Sequence, residues 1–360
     1  MALKCGIVGL SGTGKTTVFN CLSKSKVGAG APKTTNLGQI EVPDPRLKVL
    51  FDLARSAKLV PTTVEIVDIP GLVKGGGQMK GGAQFLADIR QTDAILHVLR
   101  CFDDDQVPHI EGSVNPVRDK EIIDLELISR DLDTLEKKIH RLEKIAKSGD
   151  KDAKHGINVI NSLKEHMENG ESARTFSIEE NDRKYIDDCF LLTIKPVLYV
   201  CNVDEVSARE GNNYVEQVRK SVAGEDTDVL IIAAQAEAEI AELEDEDDRK
   251  EFLKDLGLEE PGVYKLIRAA YDLLNLKTFF TVGPKETHAW TFREGMTAPQ
   301  TAGVIHSDLE RGFIRAEVMK YDDFAAMGSE HACKTAGKFY IEGKNYKVQD
   351  GDILNIRFNV

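Results

Sequence analysis

No stretch of 18 consecutive apolar residues occurs in this chain of 360 residues, so no helical membrane span is expected. The first residues run at once into an apolar, strand-like segment, and no secretory signal peptide is expected. Cysteine is scattered: the six, at 5, 21, 101, 189, 201 and 333, lie far apart, and none forms C-x-x-C. Two of them sit in apolar strand-like runs. Reduced, buried thiols in a cytoplasmic protein fit that distribution better than disulfides or a thiolate metal site. An excess of positive charge is also missing. The formal net charge of −13 argues against a protein coated with nucleic-acid-binding surface. The deficit is uneven, because residues 276–360 hold 11 Lys/Arg against 11 Asp/Glu. All of the acidic excess precedes them, which leaves room for local basic patches. Apolar content of 41% and charged content of 30%, over this length, suit two or three globular domains.

What is present begins at Gly9-Leu10-Ser11-Gly12-Thr13-Gly14-Lys15-Thr16, which fits the phosphate-loop pattern G-x-x-x-x-G-K-[ST]. Lys4 to Val8 precedes it as a short apolar strand. Thr17 to Leu22 follows it with helical spacing of Val18, Cys21 and Leu22. Glycines let backbone N–H groups approach phosphate oxygens, and the following helix adds its N-terminal dipole. Lys15 is placed to reach the β- and γ-phosphates, and the Thr16 hydroxyl to bind Mg²⁺. Gly9, Ser11, Gly12, Thr13, Gly14 and Thr17 complete the expected cradle. A glycine turn preceding Lys-Thr by chance is the competing explanation, and the strand–loop–helix context disfavours it.

Further short apolar runs at Thr63–Asp68, Ala94–Leu99, Val197–Cys201 and Val229–Ala233 read as buried strands of a parallel sheet. Gly38–Val42 alternates like an edge strand. Between residues 121 and 193 the texture changes. Leu125, Ile128, Leu132, Leu135, Ile139, Leu142 and Ala146 repeat at alternating spacings of three and four, a coiled-coil seam. After a break at Ser148-Gly149-Asp150, Ile157, Ile160 and Met167 mark a second helix, so an inserted antiparallel hairpin is expected. Its turn carries Lys137, Lys138, Arg141, Lys144, Lys147, Lys151 and Lys154. A solvated helix tip explains these lysines; an RNA-contacting tip is the sharper alternative. Glu237 to Glu251 is strongly acidic and is assigned no chemistry. From Leu276 onward, Lys277–Val282 and Ala289–Phe292 read as strands and Thr301–Leu309 as a helix. Leu354, Ile356, Phe358 and Val360 alternate as a last strand, giving a small α+β module.

Asp68-Ile69-Pro70-Gly71 stands at a strand end about 50 residues after the phosphate loop. Asp68 can hold Mg²⁺ and the Gly71 N–H can sense a γ-phosphate. Thr35, with Thr34 as its neighbour, is the candidate for a further metal-facing hydroxyl. A turn-forming threonine is the equal alternative. Asn202-Val203-Asp204-Glu205 follows a strand where guanine-specific proteins read Asn-Lys-x-Asp. Val203 lacks the lysine stem that lies on the base, and Glu205 displaces the carboxylate. Relaxed base selectivity is expected, with ATP bound at least as well as GTP. Ala234-Gln235-Ala236-Glu237 is a weaker candidate for a further base contact. Leu72 stands where many regulatory NTPases place a water-orienting glutamine, so intrinsic hydrolysis should be slow unless another group serves. His109, in the polar stretch 103–115, is the candidate; a merely solvated loop histidine is the plainer reading.

These stretches resemble the YchF family of Obg-related P-loop NTPases. The likeness rests on Gly9–Thr16, on Asp68-Ile69-Pro70-Gly71-Leu72-Val73-Lys74-Gly75 and on Asn202–Glu205. Above all it rests on Ala298-Pro299-Gln300-Thr301-Ala302-Gly303-Val304-Ile305-His306-Ser307-Asp308 and Gly312–Val318. It spans essentially the whole chain. It implies a Ras-like P-loop NTPase core over 1–120 and 194–275, a helical coiled-coil insertion over 121–193, and a ubiquitin-like TGS domain over 276–360. It also implies Mg²⁺-dependent hydrolysis with ATP preferred, GTP as a further ligand, and association with the ribosome, its large subunit above all, and with tRNA or other RNA. No DNA sequence reading is expected. His109 aligns with the family's loop histidine linked to hydrolysis. Gly12 stands where the family usually reads Asn, the residue tied to monovalent-cation sites in relatives, and Pro32–Asn36 departs from the usual Phe-Cys-Thr wording. A nucleotide-gated binding module with negligible turnover is the main rival, supported by Leu72. A nucleotide kinase is disfavoured by Asp-Ile-Pro-Gly and the C-terminal module.

Overall fold

A computed structural model describes residues 3–23, 35–71, 73–75, 78–80, 82–243 and 245–359. Pro32, Lys33 and Thr34 of the segment Pro32–Asn36, together with Leu72 and Val360, all named above, lie outside the described residues. The described strands are β1 (Lys4–Val8), β2 (Asn36–Glu41), β3 (Lys58–Val60), β4 (Thr63–Asp68), β5 (Val73–Gly75), β6 (Gln78–Lys80) and β7 (Ala94–Arg100). They continue with β8 (Val197–Asn202), β9 (Val229–Ile232), β10 (Leu276–Val282), β11 (Glu286–Arg293), β12 (Phe313–Lys320), β13 (Tyr340–Glu342) and β14 (Asp352–Phe358). The helices are α1 (Lys15–Ser23), α2 (Pro45–Ala54), α3 (Gly82–Arg90), α4 (Pro116–Ala146), α5 (Lys151–Glu168), α6 (Asn213–Ser221), α7 (Ala234–Glu242), α8 (Glu246–Asp255) and α9 (Gly262–Leu273). Four short helices follow, α10 (Ala298–Ile305), α11 (Ser307–Arg311), α12 (Tyr321–Met327) and α13 (Glu330–Thr335). Among the described residues, no helix is long and apolar enough to cross a membrane. All six cysteines are free thiols, five of them buried.

The chain divides into two compact units, Met1–Gly38 with Glu65–Leu266, and Gln39–Val64 with Ile267–Val360. The first is built on a sheet of order β2-β4-β1-β7-β8-β9. From β4 to β9 the neighbours are parallel, with Ile7 beside Asp68, Val8 beside His97 and Arg100 beside Asn202. Every residue of β7 and β8 is buried, which explains their unbroken apolar runs. The same register brings the carboxyl ends of β1, β4, β7 and β8 to one edge, where ligands of open parallel sheets bind.

Asn115 caps α4 by accepting from the Arg118 N–H at 3.1 Å, and Pro116 occupies its first turn. The helix therefore starts five residues before the expected insertion boundary at 121. Its first turns serve the sheet: Ile123 and Leu127 join the core formed by Val8, Leu99 and Tyr199. Only from Ile128 onward does the seam face α5, with Leu135, Ile160, Leu163 and Met167 buried together. Leu125, expected in the seam, is 57% exposed because this part of the helix turns a different face inward. The return chain is fastened at Asp131. Its buried carboxylate accepts from the Leu192 N–H, the Thr193 N–H and the Thr193 hydroxyl at 2.7–2.8 Å.

The second unit has a sheet of order β13-β12-β14-β10-β11-β3. Residues 39–64 belong here, whereas the sequence assigned them to the nucleotide-binding part. The reason is packing: Leu47 and Leu50 of α2 are buried with Phe280, Ala289, Met319 and Phe324. Arg46 adds an ion pair to Asp350 at 2.7 Å, and β3 pairs with β11. The helix expected over 301–309 is two helices, broken at His306. That residue is extended (φ −163°), and its ring accepts from the Asp308 N–H.

Replacing Asp131 by Ala leaves two buried N–H groups without acceptors. We expect a loss of about 2–4 kcal/mol, read as a lowered calorimetric unfolding midpoint. An unchanged midpoint would mean that the return chain is held by apolar packing alone.

Candidate nucleotide site

The turn from β1 into α1 is shaped by its neighbours. Gly14 has φ +91°, and a Cβ there would collide with the Asn202 side-chain nitrogen, so only glycine fits. Asn202, 4% exposed, donates from Nδ2 to the Thr13 carbonyl at 3.0 Å. Its Oδ1 accepts from the Ala234 N–H at 3.0 Å. One amide thus ties the phosphate loop to the end of β8 and to the start of α7. The Thr13 hydroxyl donates to the Leu10 carbonyl at 3.1 Å, bracing the loop from within.

Lys15 is 7% exposed, and its ammonium donates to the Leu10 carbonyl at 2.7 Å. Burial pulls its pKa down to about 8, partly countered by the nearby Asp68 carboxylate. The Thr16 hydroxyl donates to Asp68 Oδ2 at 3.1 Å, across 52 positions of sequence. This is a pair of hard oxygen donors of the kind Mg²⁺ prefers. A Cβ on Gly71 would stand 2.6 Å from Lys15 Nζ and 2.9 Å from the Gly9 carbonyl. Asp-Ile-Pro-Gly is therefore pressed against the phosphate loop, and Lys15, Thr16, Asp68 and Gly71 form one cluster. Ser11 and Gly12 are exposed in the loop, and Thr17 is half-buried on α1.

Other expected residues are placed differently. Thr35 donates to Asp88 Oδ2 at 2.7 Å, so its hydroxyl is engaged by α3 rather than by the Thr16–Asp68 pair. Val203 is 3% exposed and packs in the core of the sheet. Its side chain offers nothing to a ligand, because an apolar residue at a strand end gains more by extending the core. Glu205 is exposed, as are Asp204 and, at 97%, Val206. Glu237 is buried on α7 and accepts from the Gly262 N–H at 2.5 Å; it joins α7 to α9.

His109 is not a solvated loop residue. Its Nε2 lies 2.8 Å from Asp119 Oδ2, with the two side chains 4% and 1% exposed. Its Nδ1 accepts from the Glu111 N–H at 3.1 Å. The loop that carries it, residues 101–115, lies beside the phosphate loop. A Cβ on Gly12 would stand 3.8 Å from Val107 and 3.9 Å from the Pro108 carbonyl. Buried Arg100 pins the near part, donating to the carbonyls of Phe102, Asp104 and Val107 at 2.7–3.1 Å. Neither Arg100 nor Asp119 stands out from the sequence as a site residue. Asp119 does follow the helix-start signal Asn115-Pro116, and that signal locates it in a first turn.

Residues 276–359 match the family YchF-GTPase_C, described as a protein of unknown function (DUF933). Residues 4–145 match a family described as 50S ribosome-binding GTPase. The chain is 48% identical to the ribosome-binding ATPase YchF of Bacillus subtilis (strain 168), and all of both chains is covered. It is likewise 48% identical, over all of both chains, to the protein of that name from Escherichia coli O157:H7. A solved structure of the Schizosaccharomyces pombe YchF GTPase superposes with a TM-score of 0.86 at 31% identity. That match covers 99% of this chain and 98% of the other. This chain belongs to the YchF family. It is a P-loop nucleoside triphosphatase with the family's C-terminal domain, as the resemblance of its motifs implied.

The depressed pKa of Lys15 fixes the sign of a pH dependence for this YchF-family site. With the pKa pulled down to about 8, the Lys15 ammonium, the form able to bind a phosphate, predominates only below that pH. Above it, triphosphate binding must first restore the proton, and affinity should fall by up to roughly tenfold per pH unit. Calorimetric titration between pH 7 and 9.5 should show this fall, and Lys15→Arg should flatten it. A flat profile for the unaltered protein would show that Lys15 stays charged throughout.

Proposed function

We propose that this protein is a Mg²⁺-dependent ATPase of the cytoplasm that associates with the ribosome according to its nucleotide state. The observation that carries the reading is the single cluster of Lys15, Thr16, Asp68 and Gly71, set beside a base-reading corner without lysine or a matching aspartate. Thr16 and Asp68 would hold the metal, which when bound would neutralise charge on the phosphates. Lys15 leaves the Leu10 carbonyl for the β- and γ-phosphates, Gly71 offers its N–H to the γ-phosphate, and Gly9 to Thr17 wrap the chain of phosphates. Asn202 acts by holding the loop rather than by touching the base. Glu205 is the side chain of that corner free to meet it. A lone displaced carboxylate does not reproduce the paired contacts that select guanine, so ATP is the favoured substrate and GTP a tolerated ligand. His109 supplies the polar group that hydrolysis needs where glutamine is lacking.

The names of the bacterial relatives support the ribosome as partner. The tip of the insertion supports a contact with ribosomal RNA on the large subunit, or with tRNA. Lys137, Arg141, Lys144, Lys147, Lys151 and Lys154 are all exposed there. A second reading, a nucleotide-gated binding module with negligible turnover of its own, is favoured by the engagement of both His109 nitrogens in the resting protein.

Paired titrations should give ATP an affinity equal to or tighter than that of GTP, with multiple-turnover phosphate release from ATP. A hundredfold preference for GTP would overturn the substrate assignment. Charge reversal at the tip, Lys144→Glu with Lys147→Glu, should weaken ribosome co-sedimentation at least roughly tenfold at moderate salt, since each lost phosphate contact steepens the salt dependence. Undiminished co-sedimentation would move the contact elsewhere.

A further inference from the structure

The hydrogen bonds around His109 define the state of its ring. The Glu111 N–H must donate, so Nδ1 presents its lone pair, and the ring proton sits on Nε2, facing Asp119. Both nitrogens are consumed by these bonds. In this state the ring has neither a donor nor an acceptor left for water or phosphate. The anchor is itself held in place. Asp119 Oδ1 receives Arg118 Nη2 at 2.8 Å and Nε at 3.1 Å, and Arg118 Nη2 also donates to the Ser113 carbonyl at 2.6 Å. The Gly112 N–H closes the turn by donating to the His109 carbonyl at 2.9 Å. Yet the residue before His109 lies alongside the phosphate loop, with its own carbonyl near Gly12. The histidine is therefore stored next to the chemistry in a form that cannot take part in it.

We propose that Asp119 is a positioning residue that keeps His109 idle, and that parting of the Nε2–Asp119 bond is the event that admits His109 to the nucleotide. The proposal rests on the reading that His109 serves hydrolysis. Release leaves the ring neutral, with Nε2–H free as a donor toward the nucleotide and its water. No proton has to change hands for the switch itself. Asp119 belongs to the first turn of α4, a helix of 31 residues whose far end carries the tip lysines. At 1.5 Å per residue the helix spans roughly 46 Å. The tip and the latch thus belong to one helix, and Arg100 keeps residues 102–107 in place beside β7.

The test is phosphate release from Mg²⁺-ATP by the full chain, with and without ribosomes. Asp119→Ala should raise basal turnover about tenfold, the scale set by losing one charge-assisted hydrogen bond. It should also shrink the fold-stimulation by ribosomes, because the gain is already realised. Asp119→Asn keeps the volume and an acceptor, and should move both quantities the same way by less. It serves also if the alanine variant fails to fold. His109→Ala should be slow with and without ribosomes, and the double variant should match it. A fall in turnover for both Asp119 variants, at unchanged ATP affinity and melting temperature, would overturn the latch while leaving the role of His109 intact. Turnover at the normal level in His109→Ala, under both conditions, would instead remove the role of His109 and the latch with it.

Discussion

The site depends on one buried amide. Asn202 uses its nitrogen on the Thr13 carbonyl and its oxygen on the Ala234 N–H, at 3.0 Å each. Both partners are backbone groups just past strand ends, Thr13 after β1 and Ala234 after β9, and β7 and β8 separate those two strands in the sheet. An amide carries its donor and its acceptor on separate atoms, so it can donate to one and accept from the other. A carboxylate would face the Thr13 carbonyl oxygen with another acceptor, and an apolar residue would leave two buried polar groups unpaired. The glycine at position 14 follows from this bridge, since the space a Cβ needs is taken by Asn202 itself. So does the register of the cradle: Lys15 and Thr16 come next in the chain, and their reach toward Asp68 and the Leu10 carbonyl is set once the loop is fixed at Thr13.

The parts legible in the sequence are those whose causes are local. The phosphate loop is eight consecutive residues, and the strands are short apolar runs whose lengths survive almost unchanged, as at Thr63–Asp68. What escaped was decided by partners far away in sequence. Thr35 finds Asp88 across 53 positions, and no local pattern distinguishes that partner from a metal. The pattern of Leu47 and Leu50 shows that α2 is buried on one side, but not that Phe280 and Met319 cover it. Val203 was legible in another sense. An apolar residue directly after an apolar strand prolongs the core, and the likeness of Asn202–Glu205 to a base-reading motif drew attention from that simpler cause. Leu125 follows the heptad rule on paper and breaks it in space, because α4 serves two cores in succession and must turn a different face to each.

That double service explains the charges buried at the root of α4. Lys120 pairs with Asp124 at 2.9 Å and Glu225 at 3.1 Å, and Arg174 reaches Glu225 at 2.9 Å. The Tyr199 hydroxyl lies 3.1 Å from both Arg174 and Glu225. Burial and neighbouring cations leave His97, on the adjacent strand, neutral, with a pKa near 3. Such a cluster adds little net stability, since desolvation offsets the attraction. Its effect is on alternatives. If α4 slid or turned on the sheet, Lys120 would part from Glu225 and keep only Asp124, which moves with it, and part of the buried pairing would be lost. An apolar seam alone, with Ile123 and Leu127 as its contacts, would tolerate a slip far more readily. The cluster therefore fixes the position of the residue that precedes Lys120, which is Asp119. With Asp119 held in place, its bond to His109 can part from the His109 side alone, because Arg118 goes on pairing the carboxylate and no buried ion is left without a partner.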